Sequence, residues 1–85
     1  MAKYEVVLRK SVLKDLDSIP RKDVARIMSA IGTLANNPRP TQSRKLSGQE
    51  RYRLRQGVYR IIYSIKDKHL IVCVVKVGHR RGVYR

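Results

Sequence analysis

RYRLRQGVYRIIYSI, residues Arg51 to Ile65, reads as two strands joined by a tight turn. RYRLR (Arg51–Arg55) alternates arginine with tyrosine or leucine, the period-two pattern of a half-buried strand. Gln56–Gly57 supplies the turn, and YRIIYSI (Tyr59–Ile65) is the returning strand. KDKH (Lys66–His69) makes the next turn. LIVCVVKV (Leu70–Val77) is almost wholly β-branched or apolar, which predicts a strand in the interior of the sheet. The second half of the chain is therefore expected to be a three-stranded antiparallel meander.

Upstream the period changes. YEVVL (Tyr4–Leu8) fits a first strand. Ser11 can cap a short helix with Leu13 and Leu16 facing inward. Pro20 suits the start of a second helix, where its missing N–H costs nothing. Along it Val24, Ile27, Met28, Ile31, Leu34 and Ala35 recur at helical spacing, and Arg21, Lys22 and Arg26 form the other face. NNPRP (Asn36–Pro40) ends it. A lone hairpin is barely stable, so the helices must cover one sheet face. The expected fold is α+β: one N-terminal strand, two helices, then the meander, with the helices on one face of a small sheet. At 85 residues, one domain over 1–85 accommodates one small core.

Twenty Lys and Arg against six Asp and Glu give a net charge of +14. Charge of that size opposes compaction and self-association, so a monomer is expected when the protein is free. It also calls for an anionic partner: nucleic acid, an acidic protein or an anionic membrane surface. No apolar run approaches the ~18 residues of a membrane span. MAKYEVVLRK at the N-terminus lacks the apolar segment of a signal peptide, so the expected location is cytoplasmic and no membrane partner is expected. Cys73, the single cysteine, sits inside LIVCVV and reads as a small buried apolar residue. No paired Cys/His pattern calls for a metal, and no cofactor is expected.

The cations are not scattered. Alternation puts Arg51, Arg53 and Arg55 on one strand face, with Tyr52 and Leu54 on the other. A solvated strand face ordinarily mixes signs. Three arginines favour an anion, and phosphate fits the planar guanidinium fork. Arg60 lies inside an apolar strand, where it is either an edge charge with a packed stem or part of the same surface. VGHRRGVYR (Val77–Arg85) follows the most apolar strand, and Gly78 allows a change of direction. Tyr84 there either stacks on a base or tucks against the core. Within this stretch His79 has the one unperturbed pKa suited to proton transfer near neutrality. No Ser-His-Asp set, phosphate-binding glycine loop or carboxylate pair is present. Arg, Lys, Tyr and His suit one reaction well, RNA cleavage by attack of the 2′-hydroxyl on the adjacent phosphate, because the substrate brings its own nucleophile.

KLSG (Lys45–Gly48), YRLRQGVYRIIYSI (Tyr52–Ile65) and VVKVGHRRGVYR (Val74–Arg85), together with the LANNPRP helix ending, resemble the RelE toxins of the RelE/ParE superfamily. The resemblance covers nearly the whole chain. It implies a small toxin of a type II toxin–antitoxin system, a metal-independent endoribonuclease that cleaves mRNA in the ribosomal A site. The implied partners are mRNA, the ribosome and an acidic or amphipathic RelB-like antitoxin that makes a hetero-oligomer with it. Position by position, Arg60 matches the arginine that contacts the scissile phosphate. Arg80 matches the phosphate-stabilising arginine that also serves as leaving-group acid, and Tyr84 matches the tyrosine that orients a base. Arg53 and Arg55 match a basic pair that includes lysines in some relatives. Arginine is a poor general base, which leaves Glu50 and His79 as local proton acceptors. Lys45, Arg51, Arg81 and Arg85 complete the expected RNA- or ribosome-binding set. Two other readings fit the sequence: a ParE-like inhibitor of DNA gyrase, and a non-catalytic RNA- or ribosome-binding module.

Overall fold

The Gln56–Tyr59 turn forms where expected. Gly57 occupies it at φ 60°, a left-handed conformation that glycine adopts without a Cβ penalty. The computed structural model describes residues 3–48 and 50–79. Its elements are β1 (Glu5–Leu8), α1 (Lys10–Asp17), α2 (Arg21–Thr33), β2 (Ser43–Lys45), β3 (Tyr52–Gln56), β4 (Tyr59–Lys66), a 3-10 turn (Asp67–His69) and β5 (Ile71–His79). They form one sheet in the order β1-β5-β4-β3-β2. β1 pairs parallel to β5, and every other pair is antiparallel.

The α+β class and the meander are as expected, and β5 is flanked by strands on both sides. The sheet has one strand more than expected. β2 is only three residues long, SRK, too short to show a period, and it forms because β3 offers an edge to pair with.

The helices cover one face. Val12 of α1 and Ile27 and Ile31 of α2, with Leu34 just beyond, pack on Leu54, Ile61, Tyr63, Val72, Val74 and Val77. Each such side chain contributes about 1.5–3 kcal/mol by leaving water. α1 is phased differently from the sequence expectation. It starts at Lys10, after Arg9 and before Ser11, and turns Val12 inward, leaving Leu13 54% exposed. Leu16, one turn after Val12, packs against the core. Met28 likewise stays on the rim of α2 while Ile27 and Ile31 are buried. Pro20 precedes α2, and its carbonyl accepts the N–H groups of Asp23 and Val24 at 2.9 and 3.0 Å.

The other sheet face is not wholly polar. Ile62 and Val75 are buried there, with Leu46 and Cys73 against them. Cys73 is thus half-buried on the face away from the helices.

A polar cluster fixes the connection from α2 to β2. Arg39 donates to both carboxylate oxygens of Asp67 at 3.1 and 2.8 Å and to the Tyr52 hydroxyl at 3.1 Å. Tyr4 donates to Asp67 at 2.8 Å, and the buried Tyr63 hydroxyl donates to the Pro38 carbonyl at 2.7 Å. The Tyr52 and Tyr63 rings stack at 5.8 Å. The arginine of NNPRP is therefore a structural clamp at the end of the sheet away from the Gln56–Tyr59 turn.

Candidate functional site

Tyr52, Leu54, Tyr59, Ile61 and Tyr63 pack with the helices. Strand alternation then sends Arg53, Arg55 and Arg60 to the opposite face. The register adds a relationship that alternation alone does not give. Arg55 stands directly opposite Arg60 on β4, and Arg53 directly opposite Arg44 on β2. Directly opposed residues place their Cβ atoms about 4.5–5.5 Å apart, and like charges there repel. The sequences of β2, β3 and β4 contain no acidic residue. A cleft of about 410 Å³ lined by Gln42, Arg44, Arg53, Arg55 and Gly57 opens on this surface.

Arg60 differs from its neighbours. It is half-buried, and its Nε is shielded from solvent. On the β5 side its partner is Gly78, which has no side chain. The guanidinium is thus mounted on two ladders rather than on a free-swinging stem. Arg55 also borders a second cleft of about 470 Å³, between α2 and β3, with Arg26, Ser29, Thr33 and Gln42. The basic surface therefore continues around the sheet edge.

Not every expected residue joins this face. Arg51 falls just before β3, where its carbonyl accepts the Leu46 N–H at 2.8 Å. Lys45 pairs with Tyr52, so it points to the helix side, and its Nζ lies 3.7 Å from the Glu50 carboxylate. His79 pairs with Tyr59, and the two rings meet edge-on at 6.2 Å. His79 is thus on the helix side, opposite Arg60's face. It borders a cleft of about 360 Å³ with Asp15, Ser18, Tyr59 and Lys76. Desolvation, then the Asp23 carboxylate 3.4 Å away, push the Tyr59 hydroxyl above its ordinary pKa of 10.0, so it stays a donor. Arg80, Arg81, Tyr84 and Arg85 lie outside the described residues.

Arg44 is the residue that sequence reading missed. Its only signal is the pairing of SRK with YRLRQ, and a three-residue strand is too short to reveal it. Among the described residues, no group of three His, Cys, Asp or Glu side chains is placed to hold a metal, and no helix is long and apolar enough to cross a membrane.

Residues 6–84 match the family described as the ParE toxin of type II toxin–antitoxin system, parDE. The chain is 32% identical over 87 residues to toxin RelG of Mycobacterium tuberculosis, covering 96% of this chain and 97% of the relative. It is 31% identical over 87 residues to toxin RelE of the same organism, covering 96% and 87%. In structure it is similar to a chain of the archaeal RelE–RelB complex from Pyrococcus horikoshii, at TM-score 0.82 and 32% identity over 92% of this chain and 96% of that one. A family match along most of the sequence, agreeing with RelE relatives along nearly their full length and with a solved RelE structure, shows that the chain belongs to the RelE toxins of the RelE/ParE superfamily.

Proposed function

We propose that this chain is the toxin of a type II toxin–antitoxin pair and acts as a ribosome-dependent endoribonuclease on mRNA. The observation that carries this reading is the cross-strand register that sets Arg44 opposite Arg53 and Arg55 opposite Arg60. Four guanidinium groups on one face form a surface suited to a polyanion.

The substrate's 2′-hydroxyl attacks the adjacent phosphorus, and the 5′-oxygen of the next nucleotide leaves. Arg60, on its half-buried mount, contacts the scissile phosphate and stabilises the charge that develops on it. Arg53 and Arg55 act through charge alone, because a protonated guanidinium has no lone pair with which to accept the 2′-hydroxyl proton. The family resemblance assigns Arg80 a second phosphate contact with donation to the leaving oxygen, and Tyr84 the stacking of a base. Glu50, the carboxylate nearest in sequence to the arginine strand, is the candidate acceptor for the 2′-hydroxyl proton. The partner is an acidic or amphipathic antitoxin that covers the arginine face, as RelE pairs with RelB in the P. horikoshii complex.

The test is primer extension on mRNA from ribosomes stalled at a defined codon, with naked mRNA and an Arg60→Ala/Arg80→Ala variant alongside. Cleavage within the A-site codon, dependent on ribosomes and lost in the variant, is the expected result. Intact mRNA at saturating protein overturns the reading. The family description names ParE, which favours gyrase inhibition as the second reading. In that case a supercoiling assay is inhibited, and Arg60→Ala keeps the inhibition.

A further inference from the structure

β1 stops at Leu8, opposite Val74, and the chain turns through Arg9 into α1. β5 runs on to His79. Its last residues therefore have β4 on one side and α1, not a strand, on the other.

A bulge sets the register of that stretch. Ile62 faces Lys76 while Tyr63 faces Val74, so Val75 is the extra residue. Without it, the alternation that buries Val72 and Val74 sends Lys76 into the core. With it, Val77 is 1% exposed and Lys76 faces solvent. The same shift brings Gly78 opposite Arg60 and His79 opposite Tyr59. A one-residue slip exchanges every side chain between faces, so Arg60's neighbour depends on this bulge holding.

Asp15 is the group that grips it. Its Oδ2 accepts the Val77 N–H at 3.1 Å, and its Oδ1 lies 3.5 Å from Lys76 Nζ. The side chain is 18% exposed, against 45% for Lys76. A carboxylate on α1 thus fills the place a neighbouring strand's carbonyl would take. Arg9 N–H to the Val74 carbonyl, at 3.1 Å, ties the same helix to β5 at the point where β1 ends.

We propose that Asp15 is a positioning residue for the phosphate site. By fixing the Val77 end of β5 it holds Gly78 beside Arg60. Asp15 does not touch the substrate. This role rests on the nuclease reading above.

The experiment compares wild type, Asp15→Ala, Asp15→Asn and Tyr63→Phe. The last is a destabilised control whose substitution lies outside the arginine face. Cleavage on stalled ribosomes gives kcat and KM, and NMR hydrogen exchange follows the Val77 amide. Asp15→Ala is expected to lower kcat by about tenfold or more, since a misplacement near 1 Å costs that much or more, with KM nearly unchanged. Its Val77 amide exchanges faster than that of Val74. Asp15→Asn keeps an acceptor oxygen and recovers most of the rate. Tyr63→Phe keeps the wild-type kcat. A wild-type kcat in Asp15→Ala overturns the proposal while leaving the nuclease reading standing. An equal loss of kcat in Tyr63→Phe also overturns it, by reducing the effect to stability. A wild-type protein that does not cleave removes the nuclease reading, and this role with it.

Discussion

Arg55 and Arg60 oppose one another across the β3–β4 ladder, two cations at a position where sheets favour opposite charges. Arg44 and Arg53 repeat the arrangement on the next ladder. The fold thus gathers like charge on one face, where an anionic ligand is favoured.

Arg55 is exposed, so its removal opens no cavity. Arg55→Ala is expected to leave stability unchanged or to raise it by about 0.2–1 kcal/mol. On the nuclease reading, cleavage by the same variant falls by about tenfold or more, because Arg55 would no longer face the phosphate. Thermal denaturation beside primer extension checks both, and a joint fall in stability and activity contradicts the repulsion argument.

Binding of a non-cleavable 2′-deoxy oligonucleotide measures the surface without chemistry. Each phosphate contact removed lowers the slope of log K against log salt by about 0.7. Arg53→Ala/Arg55→Ala is therefore expected to flatten the slope by roughly twice that. Lys45→Ala, on the other face, is expected to leave the slope alone.

Hydrogen bonds from Arg39 and then Tyr4 hold the Asp67 carboxyl at about 2, below its ordinary 3.8. A depressed folded-state value stabilises the protein above the unfolded pKa, and the effect is lost as pH falls through the folded one. The stability gap between wild type and Asp67→Asn is expected to be constant above about pH 5 and to close between there and pH 2. Urea titrations across that range read it directly, and a gap that widens on acidification contradicts the assignment.

Tyr63 is fully buried, and its hydroxyl satisfies the Pro38 carbonyl. Tyr63→Phe leaves that carbonyl without its donor and is expected to cost about 1–2 kcal/mol, or roughly 4–16 °C in Tm. Calorimetry settles it, and an unchanged Tm would mean that water replaces the hydroxyl.

His79 sits against Tyr59 on the helix side. His79→Ala is accordingly expected to leave the rate of cleavage on stalled ribosomes nearly unchanged. A fall of about tenfold or more would return the imidazole to the chemistry.

Much of this was legible in the residues themselves. RYRLR carries period two over enough positions to place Arg53 and Arg55 on one face, but the apolar run around Arg60 leaves its side open until the register is known. α2 declared itself through Ile27 and Ile31. What stayed hidden was pairing between distant segments. Arg44 opposite Arg53 depends on β2, which is too short for a pattern. The side taken by His79 depends on the Val75 bulge, and no alternation rule predicts an extra residue. α1 gave two apolar choices, Val12 and Leu13, and only packing against β5 decided between them.

β1 lies beside β5, with Glu5 next to Ile71, although most of the chain separates them. The first strand to leave a translating ribosome therefore has nothing to join until β5 has followed it. Contacts so distant in sequence form late, and a hairpin of β3 and β4 alone is marginal. The arginine surface has no stable support while the chain is still being made. A toxin of this family is thus assembled only after most of its own message has been read.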